Sequence, residues 1–202
     1  MDDIARIHRR PGMYVGATDD GTGLHNLVLG QIAEAVALVL AGTAQAIDVI
    51  LRSDFAVAVS CTGSPLLDQE ELLSDMRSRR IASESLAESA LYSAWDKVDG
   101  GVFCDLCAIN ALSDWMCHQV WNGPSVYSLM FRGGTFDAMM TADTPPAMSG
   151  KSEAGASVTF LPSRKFFSSL DFDAVRLAVA IDDLSQCNGQ VAITLTDYRP
   201  AS

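Results

Sequence analysis

A long apolar stretch that follows a glycine-rich loop constrains the fold of this chain more than any other feature. Residues 24–41 read LHNLVLGQIAEAVALVLA, and the loop over residues 12–23 leads into them. Apolar side chains around the whole circumference predict a helix that is buried on most sides. Gln31 and Glu34 interrupt the stretch, which favours a core helix over a membrane span. Gly42 stands where a left-handed C-terminal cap belongs.

The composition is that of a compact globular chain. Hydrophobic residues make up 49% of the 202 residues and charged residues 19%, which is enough length and apolar content for one domain with a real core. The N-terminal residues MDDIARIHRRPG lack the apolar segment of a signal peptide. Five cysteines, an odd number, fit a reducing compartment better than a disulfide framework. We therefore predict a cytoplasmic protein without a membrane segment.

The charge balance disfavours direct binding to nucleic acid. The formal net charge is -11, and an acidic surface repels phosphate backbones unless basic residues are concentrated in one place. The candidate basic run is residues 77–80 (RSRR), and a run this short is more typical of a solvated helix end. An acidic decoy that mimics DNA is an alternative, but the charge is modest for this length.

The remaining periodicity predicts a mixed fold. Turn signals at the Asn122-Gly123 and Gly133-Gly134 dipeptides separate three strands in the second half. We predict an α+β fold, a two-layer sandwich of helices on a mixed, largely antiparallel sheet. The predicted helices are 4–9, 24–41, 68–80, 83–95, 105–113 and 172–187, and the predicted strands are 47–52, 55–60, 115–121, 126–131, 135–140, 157–161 and 190–196, with a polar loop over 141–154.

Several motifs occur in an order that is specific to one family. They are RPGMYVG at 10–16, DGTGLH at 20–25, NALS at 110–113, FLPS at 160–163 and VAITL at 191–195. Together they resemble the ATPase domain of the DNA gyrase B subunit and of its topoisomerase IV relative. The resemblance implies the Bergerat ATP-binding fold, which is shared with histidine kinases, MutL and heat-shock chaperones. It also implies one domain over residues 1–202, with the family's full N-terminal arm and its second, transducer domain absent.

The resemblance places the family's catalytic positions on residues that cannot perform the chemistry. The general-base glutamate of the family falls on Gly30, which has no side chain to orient or deprotonate a water. The magnesium-binding asparagine falls on Glu34. If magnesium is bound, the carboxylate of Glu34 supplies an oxygen ligand for this hard cation. One turn further along, the family's Asp-Glu pair falls on Ala37 and Leu38.

The nucleotide-binding motifs are altered in the same way. The aspartate that binds adenine in the family falls on Cys61, a poor acceptor for an amine. The phosphate-binding glycine loop reads GGVFCDL at 100–106, so that Asp105 would face the phosphates. The family's threonine after Gly155 is Ala156, and an arginine expected near the 121–123 turn is absent. The resemblance thus implies a vestigial nucleotide cleft formed by Glu34, Cys61, Gly63, Gly100, Gly101, Asp105 and Ala156.

Taken together, these losses predict a catalytically inactive, gyrase-B-like domain that acts through protein–protein interaction, with no cofactor. The partner would be a second copy of the chain, a topoisomerase subunit or another cytoplasmic protein. One alternative is an ATP-hydrolysing enzyme that binds Mg-ATP and has moved its base to Glu34 or Gln31. Another is a remodelled cleft that binds a different small ligand.

Other residue clusters have simpler explanations. Cys104 and Cys107 form a CxxC motif, and Cys117 and His118 follow ten residues later. These four side chains equal the number of ligands that a zinc site needs, but the sequence lacks a second matched pair of ligands. Buried thiols are the simpler interpretation, with zinc and redox roles as alternatives. His25, at the start of the long helix, is interpreted as a structural hydrogen-bonding residue. The aromatic residues Trp95, Phe103 and Trp121 are either core residues or the filling of a collapsed adenine pocket.

Overall fold

Seven strands form one sheet in the order β5-β4-β3-β6-β2-β1-β7. The structure is a computed structural model, and it describes residues 3–63, 69–85, 104–142 and 154–200. The strands are β1 (Ala46–Leu51), β2 (Val57–Thr62), β3 (Ser113–Asn122), β4 (Ser125–Arg132), β5 (Thr135–Ala142), β6 (Ala154–Pro162) and β7 (Ile193–Asp197). The helices are α1 (Asp3–Arg9), α2 (Gly12–Val15), α3 (Thr22–Leu40), α4 (Gln69–Glu84), α5 (Leu106–Ala111) and α6 (Ala174–Cys187).

The sheet is mixed and largely antiparallel, as the sequence predicted. Only β1 and β7 pair in parallel among the described strands. The helices α3, α4 and α5 pack on one face, and the core lies between them and the central strands. Val59, Val158, His118 and Leu129 are direct cross-strand neighbours on β2, β6, β3 and β4. Their side chains therefore lie on the same, helix-covered face.

The long helix α3 is the centre of this core. Fourteen of its 19 residues are buried. It ends in a Schellman motif, because Gly42 has a φ of 75° and the amides of Gly42 and Thr43 donate to the carbonyls of Val39 and Leu38. Among the described residues it is the one helix that is long and apolar enough to cross a membrane. However, 78% of its most apolar 18-residue stretch is buried inside the protein. Its apolar character is accounted for by packing.

Two differences from the predicted elements have a physical cause. Residues 12–23 were predicted to be a loop, but Gly12–Val15 forms one helical turn after Pro11, whose φ of -57° suits a helix start. One turn is too short to produce a periodic pattern. The helix predicted to begin at residue 68 continues to Glu84, whereas most of the predicted helix 83–95 and of the loop 141–154 lies outside the described residues.

His25 ties the start of α3 to the start of α6. Its Nδ1 donates to the carbonyl of Gly21 at 2.6 Å, and the backbone amide of Asp173 donates to its Nε2 at 2.9 Å. Asp173 in turn caps α6 by accepting from the amide of Arg176. The structural role predicted for His25 is confirmed.

Candidate functional site

Three of the residues assigned to the vestigial cleft line one small cavity between α3 and the sheet. Glu34, Cys61 and Ala156 share it with Gln31 and Leu38, and the rest of the lining is Ala35, Val59, Arg79, Ser157 and Val158. The cavity holds about 10 Å³, roughly the space that one water molecule requires. This cavity, as the described residues bound it, is too small by itself for a purine ring.

Gly30 packs directly against the chain at Cys104. A Cβ at position 30 would collide with the carbonyl oxygen of Cys104 and would lie 2.7 Å from its Cβ. Such separations are far below van der Waals contact, so the approach of the two segments requires a glycine. The backbone of Cys104 thus occupies the space into which a side chain at position 30 would project.

Asp105 caps the helix α5. Its side chain accepts a hydrogen bond from the amide of Ala108 at 2.7 Å at the start of α5. A carboxylate in this position takes up one amide at the start of the helix and adds negative charge there. The other two members of this loop, Gly100 and Gly101, lie outside the described residues.

The contacts of Glu34 inside the protein include Gln31 and Arg79. The side-chain amide of Gln31 donates to its Oε2 at 3.0 Å, and the Nη1 of Arg79 lies 3.9 Å from its Oε1. The side chains of Arg79 and Glu34 are only 11% and 4% exposed. An arginine of α4 therefore supplies positive charge beside this buried carboxylate.

Arg79 is the site residue that the sequence interpretation missed. It was assigned to a short basic run at a solvated helix end, and this assignment was wrong for Arg79. A signal was present: Met76, Arg79 and Ser83 lie three and four positions apart on one face of α4, and the other two are buried. The rest of the run does not form a free basic patch either, since Arg80 pairs with Glu84 at 3.6 Å.

Gly63 and Gly155 lie at the edge of the site and are held by close neighbours. Gly63 has a φ of 87°, and a Cβ there would meet the side chain of Gln45 at 2.7 Å. A Cβ at Gly155 would collide with the indole of Trp121. Because Val120 pairs with Ala156 on the cavity side, Trp121 and its partner Gly155 face the opposite side of the sheet. The interpretation of Trp121 as the filling of an adenine pocket is therefore wrong, while Trp95 and Phe103 lie outside the described residues.

His118 is a buried histidine on β3 that faces the helices. It is fully buried, its ring packs edge-on against Phe131 with centroids 6.2 Å apart, and neither ring nitrogen has a hydrogen-bond partner among the described residues. Burial, assisted by the nearby guanidinium of Arg79, lowers the pKa of His118 well below its usual range. The imidazole is therefore neutral in the folded protein.

This environment predicts an acid-sensitive stability. Below about pH 6.5 the unfolded chain takes up a proton at His118 and the folded protein does not, so stability falls with falling pH by about 1.4 kcal/mol per unit. His118→Leu should remove this part of the slope. Urea unfolding at about pH 7.5 and about pH 5.5 measures it. The same slope in wild type and variant would contradict the assignment.

The cysteines do not form a metal site in the part of the chain that is described. Cys61, Cys104 and Cys107 are buried, Cys117 is partly buried and Cys187 is exposed, with no disulfide. Burial raises the pKa of the Cys104 thiol well above its usual value and that of Cys117 to about 11. No group of three or more His, Cys, Asp or Glu among the described residues is arranged to hold a metal ion. These observations favour buried thiols over the zinc and redox alternatives.

Comparison with known proteins identifies the relatives of this chain. The B subunit of DNA gyrase from Caulobacter vibrioides is 32% identical over 209 residues, covering 98% of this chain and 26% of that protein. The gyrase B protein of Rickettsia bellii is 29% identical, and the B subunit of DNA topoisomerase 4 from Streptococcus pneumoniae is 27% identical, each over 98% of this chain. The chain is homologous to the N-terminal region of the DNA gyrase B protein. The resemblance inferred from the motifs is thus confirmed.

The structural comparison agrees at the level of the fold. The B protein of the DNA gyrase from Myxococcus xanthus matches with a TM-score of 0.76 and 23% identity, covering 97% of this chain and 53% of that one. The gyrase B fold, with its helices on a mixed sheet, is therefore the fold of this chain. The chain spans about a quarter of the length of the Caulobacter and Rickettsia relatives. No protein-family model matches it.

Proposed function

We propose that this chain is a gyrase-B-like domain that does not hydrolyse ATP and that acts through protein–protein contacts. The observation that carries the proposal is the packing of Cys104 on Gly30. An ATPase of this family needs a side chain there to activate water, and here the residue has no side chain and the space is filled by backbone.

The surroundings of the cleft support the same conclusion. The cavity beside Cys61 and Ala156 has room for about one water, the amide of Ala108 is bound by Asp105, and Glu34 lies beside Arg79. Phosphate and magnesium would each have to displace a contact that the folded protein already makes, and adenine would need a larger cavity. Such displacement costs binding free energy, because buried polar groups left without partners are unfavourable.

The two alternatives receive less support from the geometry. A base relocated to Glu34 or Gln31 must reach a substrate water, yet the two side chains bond each other and both are buried. A small ligand in the remodelled cleft would need a larger cavity than the one that Glu34, Cys61 and Ala156 line. We therefore also propose that no nucleotide or metal cofactor is used, that the partner is a protein or a second copy, and that the domain works in the cytoplasm.

Calorimetry tests the proposal. Titration of the chain with Mg-ATP, and with a non-hydrolysable ATP analogue, is expected to give no binding heat, and a phosphate-release assay is expected to give no turnover. An active ATPase domain of the gyrase B family serves as the positive control under the same conditions. A dissociation constant in the low micromolar range would refute the proposal. Phosphate release that Glu34→Ala abolishes would establish the relocated-base alternative.

A further inference from the structure

Among the described residues, four of the five cations without a carboxylate partner belong to two segments that pack together. Most described arginines are paired with a carboxylate, as in the 2.7 Å contact between Arg199 and Asp197, or lie beside one, as Arg176 does near Asp20. Those paired are Arg6, Arg52, Arg79, Arg80, Arg132 and Arg199. The described Lys and Arg side chains that have neither arrangement are Arg9, Arg10, Arg77, Arg164 and Lys165, and all of them are exposed.

Folding brings four of these five residues to one side of the molecule. The ring of His8, at the end of α1, stacks on the ring of Phe166 with centroids 4.9 Å apart. The Nζ of Lys165 lies 5.1 Å from the same Phe166 ring. Arg9 and Arg10 follow His8, and Arg164 and Lys165 precede Phe166. The guanidinium of Arg164 lies 5.6 Å from the ring of Phe55, at the border of this region. We call Arg9, Arg10, Arg164 and Lys165 the basic surface.

The framework beneath the basic surface is well anchored. The Nε2 of His8 donates to the carbonyl of Ala111 at 2.7 Å, and the amide of Ser163 donates to the carbonyl of Leu112 at 2.9 Å. Both partners belong to the end of α5. The two basic segments are thus held side by side at the end of α5, and the charged side chains extend from an anchored backbone.

We propose that the basic surface docks an acidic segment of a partner protein. The chain as a whole has a net charge of -11. Unpaired cations on one surface therefore attract an anionic partner, whereas they give a neutral partner little electrostatic attraction. The inference rests on the proposed protein-interaction function and adds the chemistry of the partner to it.

The borders of the basic surface favour a short acidic protein segment over a nucleic acid. Ser168, next to this loop, donates to the carbonyl of Asp19 at 2.9 Å, which places the exposed carboxylates of Asp19, Asp20 and Asp171 near one edge. A DNA backbone continues with regular negative charge in both directions, so it would run against these carboxylates and against the acidic remainder of the protein. A short acidic segment ends before it reaches them.

Nuclear magnetic resonance measures the interaction. Isotopically labelled protein is titrated with a short, end-blocked Glu-rich peptide and, separately, with a DNA duplex of equal total charge. The peptide is expected to shift the resonances of residues 8–10 and 163–167, with binding that weakens as salt is raised. Peptide shifts that map elsewhere, or a duplex that binds the basic surface more tightly than the peptide, would overturn the proposal.

A charge-neutralised variant provides the matched comparison. The quadruple change Arg9→Gln, Arg10→Gln, Arg164→Gln and Lys165→Gln should weaken peptide binding by roughly tenfold or more. Arg77→Gln, which removes an exposed and unpaired cation of α4 outside the basic surface, should leave it unchanged. Equal losses of peptide affinity in both variants would contradict the inference. So would an unchanged affinity in the quadruple variant when its melting temperature equals that of the wild type. Either result would leave the ATP calorimetry, and with it the inactivity of the cleft, untouched.

Discussion

Replacing Gly30 with glutamate is expected to destabilise the domain strongly and not to restore an ATPase. The first side-chain carbon would already collide with the backbone of Cys104, and the carboxylate would then be forced into a buried position. Overpacking and an unpaired buried charge together predict a loss of at least about 3 kcal/mol in the free energy of unfolding. Urea unfolding followed by circular dichroism measures the loss, and a phosphate-release assay checks for activity.

Two alanine variants separate the local collision from the general effect of adding a side chain. Gly30→Ala adds only the colliding carbon and should cost about 1–3 kcal/mol. Gly12→Ala adds a carbon where no atom lies within 4 Å and should stay within about 0.5 kcal/mol of wild type. If Gly30→Glu folded with wild-type stability, the segment at Cys104 would have to move aside readily, and the closed cleft that supports the proposed function would be wrong.

Arg79→Met is expected to be the second most damaging substitution. It keeps most of the volume of the side chain but removes the cation that lies 3.9 Å from the Glu34 carboxylate, which is 4% exposed. Removing one partner of a buried ion pair usually costs about 3–5 kcal/mol, because the remaining charge loses its compensation in a poorly solvated site. The free energy of unfolding in urea is the measurement.

A double substitution tests whether the cost comes from that remaining charge. Adding Glu34→Gln to Arg79→Met removes both charges, and most of the lost stability should return, since paired neutral replacements of buried ion pairs are often nearly neutral. Arg77→Met, on the exposed side of the same helix, should change stability by less than about 0.5 kcal/mol. The ion-pair explanation fails if Arg79→Met costs no more than Arg77→Met, or if the double variant is no more stable than the single one.

Much of the fold was predictable because its signals are local. The Gly133-Gly134 dipeptide predicted a hairpin, and both glycines have positive φ values of 54° and 90°. The apolar stretch with Gly42 behind it predicted α3 to within two residues at each end. Each of these features depends on residues that are neighbours in the chain, so the pattern of side chains is sufficient to reveal it.

The interior of the site depends on contacts between distant segments. The sequence alone, through its motifs, determined the gyrase B relationship, the α+β sandwich and the absence of a side chain at position 30. Only the tertiary structure showed that Cys104 occupies the space beside Gly30, that Arg79 turns inward to Glu34, and that the basic surface forms around His8 and Phe166. The physical reason is that periodicity and turn chemistry report on neighbours in the chain, whereas the distance between two packed segments is decided by how every element of the core fits together.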